Sequence, residues 1–338
     1  MTERYSLQNS ESLDRVCRNI LQFVRSQDNF LITTHLSADG DAYASTLAMA
    51  YLLEAWQKRY RIIFQDQEKE WRYQFMWGWD KIEGYQEGMQ ANFQAAIVLD
   101  VPSRARIGEP ARLLPAPLYC VKIDHHPSED EFTTYNLVNT QASSTSQLVY
   151  EVIVRSGIAF SNELATLMFS GIMYDTGRFS FSNTSKRDFE IAAHLAQYGI
   201  QPYEIANQLF FSNSFSGMKT IGYGLAHMES HLNGKLCVIY LPHKVVAANS
   251  ASEVEELANY SVAIHGVEVG IYMREPEPGL LKISFRSKGR VNVNRVAKVF
   301  GGGGHDHAAG CRVRGEAAQI RRQIIQEVQK QLEELGLL

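Results

Sequence analysis

Over roughly its first 200 residues the chain alternates short apolar runs with amphipathic stretches. Leu13, Val16, Cys17, Ile20, Leu21 and Val24 recur at three-and-four spacing, which predicts a helix. Phe30 to Thr34 is a short apolar strand followed by the polar turn His35 to Asp41, and an Ala-, Leu- and Met-rich helix is expected from Ala42 to Trp56. A strand, a polar turn and a helix make the first unit of an α/β fold. Further strands are expected at Arg61 to Phe64, Ala95 to Leu99 and Leu118 to Ile123, the last as the fourth of the sheet. Helices are expected at Ser143 to Ser156, Asn162 to Tyr174 and Lys186 to Tyr198, with Gly199 as the stop. The aromatic stretch Trp71 to Trp79 reads as core packing rather than a base-stacking platform.

The pattern then changes. Residues 200 to 220 lack a strong period and are not Gly/Ser-rich, so they read as a partly helical connection. Beyond them, Asn233-Gly234 signals a hairpin before a strand at Leu236 to Leu241. Alternating strands are expected over Val262 to Met273 and Leu281 to Arg286, a helix over Asn294 to Phe300, and a charged amphipathic helix over Glu316 to Leu335. At 338 residues a two-domain reading is favoured. The division expected is residues 1–200, a linker at 201–222, and a second domain at 223–338. The fold class is α/β: an N-terminal parallel-sheet domain and a smaller C-terminal α/β domain, with the active site expected in the cleft between them.

Composition narrows the function. A formal charge of -4 argues against a broad basic face for long duplex nucleic acid, but leaves room for a local basic pocket. Cys17, Cys120, Cys237 and Cys311 are far apart and show no Cys-x-x-Cys spacing, so a reducing cytoplasm is expected. Met1 to Tyr5 carries no basic-then-apolar leader pattern, and no apolar run is long enough to span a bilayer.

Candidate chemistry collects where the predicted strands end. Asp124-His125-His126 follows one strand, Asp100 another, and His35, Asp39 and Asp41 a third, while Asp175 ends a helix. Ligands in open α/β sheets sit outside the carboxyl ends of the strands. Asp39-Gly40-Asp41 alone would suit a turn capping the next helix, and Asp175-Thr176-Gly177 alone a helix-ending turn. Five converging carboxylates repel, and divalent cations remove that problem. Mixed imidazole and carboxylate donors suit Mn²⁺, Fe or Zn²⁺, and carboxylates alone Mg²⁺ or Ca²⁺. Two such ions about 3.5–4 Å apart suit in-line displacement at phosphorus.

His35 to Ala42, Asp100, Asp124-His125-His126 and Gly171 to Gly177 resemble, in order, the four motifs of the DHH phosphoesterase family. Gly301-Gly302-Gly303-Gly304-His305 with Ala308-Ala309-Gly310 resembles the glycine-rich motif of its DHHA1 domain. The arrangement resembles the nanoRNase/pAp-phosphatase branch, a 3′–5′ oligoribonuclease and 3′(2′),5′-bisphosphate nucleotidase type. The resemblance implies one Mn²⁺ on His35, Asp39 and Asp100 and a second on Asp41, Asp100, His125 and Asp175, with Mg²⁺ or Co²⁺ as alternatives. It implies catalytic roles for His126, facing the scissile phosphate, and for Asp124, orienting a ligand from behind. Ala38 and Ala44 stand where Pro and Gly are usual, and Ser128-Glu129 where an Asn is frequent; none of these removes a ligand.

In the second domain, four consecutive glycines are expected to expose N–H groups to an anion. Arg286, Ser287, Gly302, Gly303, Gly304 and His305 are the expected substrate contacts. The implied substrates are short single-stranded RNA, dinucleotides and 3′-phosphoadenosine 5′-phosphate (pAp); long duplexes and membranes are excluded as partners, and a homodimer is allowed. The alternatives are a cyclic-dinucleotide-derived substrate such as pApA or cyclic di-AMP, a RecJ-type single-strand exonuclease, and a nucleotide-binding module with a vestigial metal site.

Overall fold

The computed structural model describes residues 10–246 and 254–338. The Met1 to Tyr5 segment read above for a leader therefore lies outside the described residues. The described chain divides into two units between Ser212 and Asn213.

The first unit is built on six parallel strands: β1 (Phe30–Thr33), β2 (Tyr60–Phe64), β3 (Ile82–Gly84), β4 (Ala95–Leu99), β5 (Cys120–Asp124) and β6 (Tyr135–Val138). Their order is β3-β2-β1-β4-β5-β6. The chain winds outward from β1 in one direction and from β4 in the other, so the switch point falls between these two strands. Phe30 to Ile32 and Ala95 to Leu99 are fully buried, as continuous apolar runs in a parallel sheet covered on both faces should be.

Helices α1 (Ser10–Ser26), α2 (Gly40–Ala55), α3 (Thr145–Ser156) and α4 (Asn162–Asp175) contribute to the main core of this unit. Helix α2 is buried around nearly its whole circumference, which explains its small and apolar composition. Helices α5 (Lys186–Ala196) and α6 (Pro202–Phe210) follow; Ile205 and Leu209 of α6 join the same core. The expected helical content of residues 200–220 is thus present as α6 and the start of α7 (Phe215–Ala226).

Three expectations are corrected. β3 and β6 were not anticipated: Ile-Glu-Gly and Tyr-Asn-Leu-Val are too short and polar to stand out, yet each pairs along an edge of the sheet. The strand ending at Asp124 is therefore the fifth, and it begins only at Cys120, since Pro117–Tyr119 forms a 3-10 turn with Leu118 and Tyr119 exposed. The stretch from Val262 to Met273 is not one strand. Leu257–Val262 is helical, Gly266 turns the chain at φ 84°, and the strand starts at Val269.

The second unit holds a mixed sheet of β7 (Glu229–His231), β8 (Leu236–Leu241), β9 (Val269–Glu277), β10 (Leu280–Ser287), β11 (Gly303–Gly304) and β12 (Ala308–Arg314), in the order β11-β12-β10-β9-β8-β7. Only β8 and β9 run parallel among these pairs. Helices α8 (His243–Val246), α9 (Leu257–Val262), α10 (Val293–Val299) and α11 (Ala317–Glu334) complete it. Val269, Ile271 and Met273 pack with residues of α10 and α11, whereas Tyr272 packs with α7 and α9, so alternate positions of β9 feed two cores.

Candidate metal centre

The carboxyl ends of β1, β4 and β5 are adjacent in the sheet, and each delivers part of one polar cluster. After β1, Leu36 donates its N–H to the Arg106 carbonyl at 2.8 Å, which holds the His35 turn against the loop that follows β4. Asp39 is the N-cap of α2: its Oδ1 accepts from the Asp41 and Ala42 N–H groups, both at 3.1 Å. Asp100 leaves β4 with φ 59°, a left-handed conformation that Asp tolerates better than most residues and that recurs at functional sites.

Asp100 is 2 % exposed and meets three imidazoles. Its Oδ2 lies 3.5 Å from His35 Nε2, and its Oδ1 lies 3.5 Å from His125 Nε2 and 3.4 Å from His126 Nδ1. His125 Nε2 also lies 3.1 Å from Asp175 Oδ2, and His35 Nε2 3.9 Å from Asp39 Oδ1. Two groups result, His35–Asp39–Asp100 and Asp41–His125–Asp175, each offering ligand atoms within 4.8 Å of one another. A third group of the same kind, Asp100–Asp124–His126, is held by direct hydrogen bonds: Asp124 Oδ1 accepts from the His126 N–H at 3.1 Å and meets Nδ1 at 2.9 Å.

Two glycines permit this proximity. A Cβ on Gly40 would fall 2.5 Å from the Tyr174 ring. One on Gly171 would fall 2.0 Å from Ser146 Oγ and 2.6 Å from Asp41 Oδ1. Helices α2 and α4 meet glycine to side chain at both points, so the motif glycines are spacing residues for the carboxylates beside them.

The electrostatics are those of a site short of positive charge. Burial pushes the Asp39 carboxyl up to about 6, with the Asp100 and Asp175 carboxylates adding to it and His35 opposing. Burial, followed by Asp175 and Asp100, holds Asp41 well above the usual carboxylate range. Asp100 goes the other way: burial would raise it, but His126 and His35 hold it well below. For His125, burial and His126 oppose the charge, yet Asp175 and Asp100 lift it to about 9. His126 is also lifted, against burial, by Asp100 and Asp124. Protons thus balance the crowded carboxylates, a task that divalent cations perform better. Imidazole nitrogens and carboxylate oxygens in this mix fit a divalent first-row ion.

Sequence reading placed every residue of this cluster but missed the residues behind it. Asp41 Oδ2 accepts the Thr145 N–H at 2.7 Å and Oδ1 the Ser146 N–H at 3.0 Å, both from the first turn of α3. Thr145 Oγ1 donates to Asp100 Oδ1 at 2.9 Å. The only signal was the hydroxyl-rich run Ser143-Ser144-Thr145-Ser146 at the start of the helix predicted over Ser143 to Ser156.

In the second unit, Arg286 and Ser287 end β10 beside the glycine-rich turn: Arg286 pairs with Ala308, and the Ser287 N–H donates to the His307 carbonyl at 3.0 Å. Arg286 Nε donates to Asn259 Oδ1 at 3.3 Å and Ser287 Oγ to the Val291 carbonyl at 2.6 Å. The expectation of a run of four exposed glycine N–H groups is corrected for Gly301 and Gly302. Gly301, Gly302 and His305 donate theirs to Lys298, Ala297 and Ala308 carbonyls. Gly303 and Gly304 pair with Gly310 and Ala309 in the sheet. Gly301 has φ 72°, a Cβ on Gly302 would lie 2.2 Å from the Gly310 carbonyl oxygen, and Gly304 has φ 141°. Three of the four glycines therefore have backbone reasons of their own.

A parallel α/β unit with an imidazole–carboxylate cluster at its switch point, joined to a mixed-sheet unit, defines a two-domain protein with a centre of metal-binding type. Residues 29–172 match the DHH family, N-terminal domain, and residues 233–334 match the DHHA1 domain. The chain belongs to the DHH–DHHA1 phosphoesterase family. It is 29% identical over 310 residues to the bifunctional oligoribonuclease and PAP phosphatase NrnA of Thermus thermophilus, covering 91% of each chain. It is 29% identical over 300 residues to the protein of the same description from Bacillus subtilis, covering 87% of this chain and 92% of that one. Among solved structures it superposes on an exopolyphosphatase-related protein from Bacteroides fragilis with TM-score 0.86, at 24% identity, over 98% of this chain and 99% of that one. That last likeness is one of fold. No helix among the described residues is long and apolar enough to cross a membrane.

Proposed function

We propose that the protein is a two-metal phosphoesterase that hydrolyses short oligoribonucleotides, dinucleotides included, to 5′-mononucleotides and removes the 3′-phosphate of pAp. The observation that carries this reading is Asp100, a buried carboxylate whose two oxygens face different ligand groups, Oδ2 toward His35 and Oδ1 toward His125. The Thermus thermophilus and Bacillus subtilis relatives, each an oligoribonuclease and PAP phosphatase, supply the substrate class.

His35, Asp39 and Asp100 would hold one ion, and Asp41, Asp100, His125 and Asp175 the other, with Mn²⁺ as the expected metal and Mg²⁺ or Co²⁺ as alternatives. Two such ions supply charge neutralisation at phosphorus and a nucleophile at neutral pH. The rest is done by the chain. Asp124 Oδ1 accepts from the backbone N–H of His126 and holds its Nδ1, so the orientation of the ring is fixed, and protonation of the ring would make Nε2 a donor as well. Such a donor suits a phosphoryl oxygen that gains charge in the transition state, and against burial the Asp100 and Asp124 carboxylates favour the protonated ring. In the second unit Arg286, Ser287, Gly303, Gly304 and His305 would hold a remote phosphate or base, with Gly302 shaping the turn and Arg286 suited to bidentate contact. We place the protein in the cytoplasm, as a monomer or homodimer, acting on short single strands.

The test is product analysis with purified protein and Mn²⁺ on pAp, pGpG, pApA, cyclic di-AMP and a long single strand. Faster turnover of pAp and dinucleotides, with 5′-mononucleotide products, supports the reading. Preference for cyclic di-AMP, or processive degradation of the long strand, would replace it. Tight nucleotide binding without turnover would identify a binding module.

A further inference from the structure

Five consecutive residues, Ala142-Ser143-Ser144-Thr145-Ser146, touch most of one ligand group and little of the other. The Ala142 carbonyl lies 3.4 Å from His125 Nδ1, the ring nitrogen on the far side from Asp175. Thr145 and Ser146 give their N–H groups to the two oxygens of Asp41, at 2.7 and 3.0 Å. Thr145 Oγ1 donates to Asp100 at 2.9 Å. Asn183 closes the circuit: its Nδ2 donates to the Ser143 carbonyl and to the Asp175 carbonyl, both at 3.0 Å. By contrast, His35 and Asp39 have their bonds to Leu36 and to the first turn of α2.

The segment is itself anchored. Ser143 N–H donates to Gln147 Oε1 at 2.7 Å, and Ser144 Oγ caps α3 by accepting the Gln147 N–H at 3.0 Å. Ser143 Oγ donates to the fully buried Asp188, whose other oxygen accepts from the Ser185 N–H at 2.7 Å and hydroxyl at 2.8 Å. Thus α5, which supplies no ligand, fixes the loop that fixes Asp41.

We infer that residues 142–146 and Asn183 form a frame that positions one ligand group, Asp41–Asp100–His125–Asp175, while the His35–Asp39 side, held at the Leu36 carbonyl and the first turn of α2, makes no bond to that frame among the described residues. The inference rests on the two-metal reading above. It makes Thr145 and Asn183 positioning residues with different reach. Asn183 acts on the framed group alone, and Thr145 acts on Asp100, which both groups share. Groups that hold a ligand's remaining hydrogen-bonding atoms commonly change metal affinity by roughly 10–100-fold when removed.

The experiment is Mn²⁺ binding to the full chain by equilibrium dialysis and electron paramagnetic resonance, with no substrate present. Wild type is expected to bind two equivalents. Asn183→Ala should weaken one equivalent about tenfold or more and leave the other within about twofold. Thr145→Val should weaken both, and Thr145→Ser, which keeps the hydroxyl, should bind as wild type. Asn183 is exposed, so its replacement opens no cavity in the core, and thermal melting without metal checks the fold of each variant. Two unchanged equivalents in Asn183→Ala, or equal loss of both, overturns the frame while leaving the two-metal reading in place. A wild-type protein that binds one equivalent or none overturns the two-metal reading itself.

Discussion

Gly171→Ala isolates the spacing between α2, α3 and α4 from the chemistry of the ligands. The added Cβ would lie 2.0 Å from Ser146 Oγ, 2.7 Å from Ser146 Cβ and 2.6 Å from Asp41 Oδ1. A hydroxyl can rotate away, but the Ser146 Cβ and the Asp41 carboxylate cannot, so one or both must move by most of an ångström. Overpacking of this kind costs about 1–3 kcal/mol, and the better helix propensity of Ala returns about 1 kcal/mol. The net loss of stability is then about 0–2 kcal/mol, a few degrees in Tm. The effect on turnover is larger, because misplacement of a reacting group by about 1 Å can cost on the order of a hundredfold. Gly222→Ala is the control: it sits in α7 with nothing within 4 Å of its new Cβ, and should keep wild-type activity. The assay is turnover of pAp and a dinucleotide beside a thermal melt. Turnover within about threefold of wild type in Gly171→Ala would refute the spacing argument, and a fall of tens of degrees in Tm would show that the glycine serves the core instead.

Asp100→Asn should lower turnover by several orders of magnitude and weaken retention of both Mn²⁺ equivalents, measured by metal analysis after desalting; near-normal turnover would sink the two-metal mechanism. His126→Ala should keep close to two equivalents while losing turnover, and loss of one whole equivalent would show that His125 and His126 have exchanged roles. Chelator-treated protein should melt at a lower temperature as pH rises from 5 to 9. Asp39, raised from 3.8 to about 6, gives up its contribution between those two values, at the acid end of the window, and His125, raised from 6.5 to about 9, gives up its own between those two, over the rest of it. Added Mn²⁺ should therefore raise Tm most at the alkaline end, and a flat profile without metal would show that these groups are not buried together.

The cluster was legible because three apolar runs each stop at a charged or imidazole residue, and a parallel sheet puts the ends of such runs along one edge. Phe30 to Thr33, Ala95 to Leu99 and Cys120 to Ile123 announce their burial by composition, so His35, Asp100 and Asp124 declare themselves by contrast. β3 and β6 carry no such contrast, since edge strands need only a few buried positions. Thr145 and Asn183 were invisible for a different reason. Their partners lie across the fold, as Thr145 and Asp100 do at a separation of 45 residues, and a hydroxyl or amide in sequence says nothing of what it will reach. The glycine run misled because a missing Cβ serves close approach to an anion and close approach to a neighbouring strand equally well. At Gly302 the neighbour is the Gly310 carbonyl.

Asp39 shows why local and functional readings of one residue need not compete. As the N-cap of α2 it gives one oxygen, Oδ1, to the Asp41 and Ala42 N–H groups, and those bonds fix the plane of the carboxylate. A carboxylate has more lone pairs than two N–H groups can use, so capping leaves capacity for a cation and holds it in place. The same logic governs Asp41, whose two oxygens are held by the first turn of α3. Two helix N-termini thus orient two carboxylates, and both present partial positive charge to them. They offset part of the repulsion that would otherwise keep Asp39, Asp41, Asp100 and Asp175 apart. The turn that looked like an ordinary cap is how the fold brings these acids together before any cation arrives.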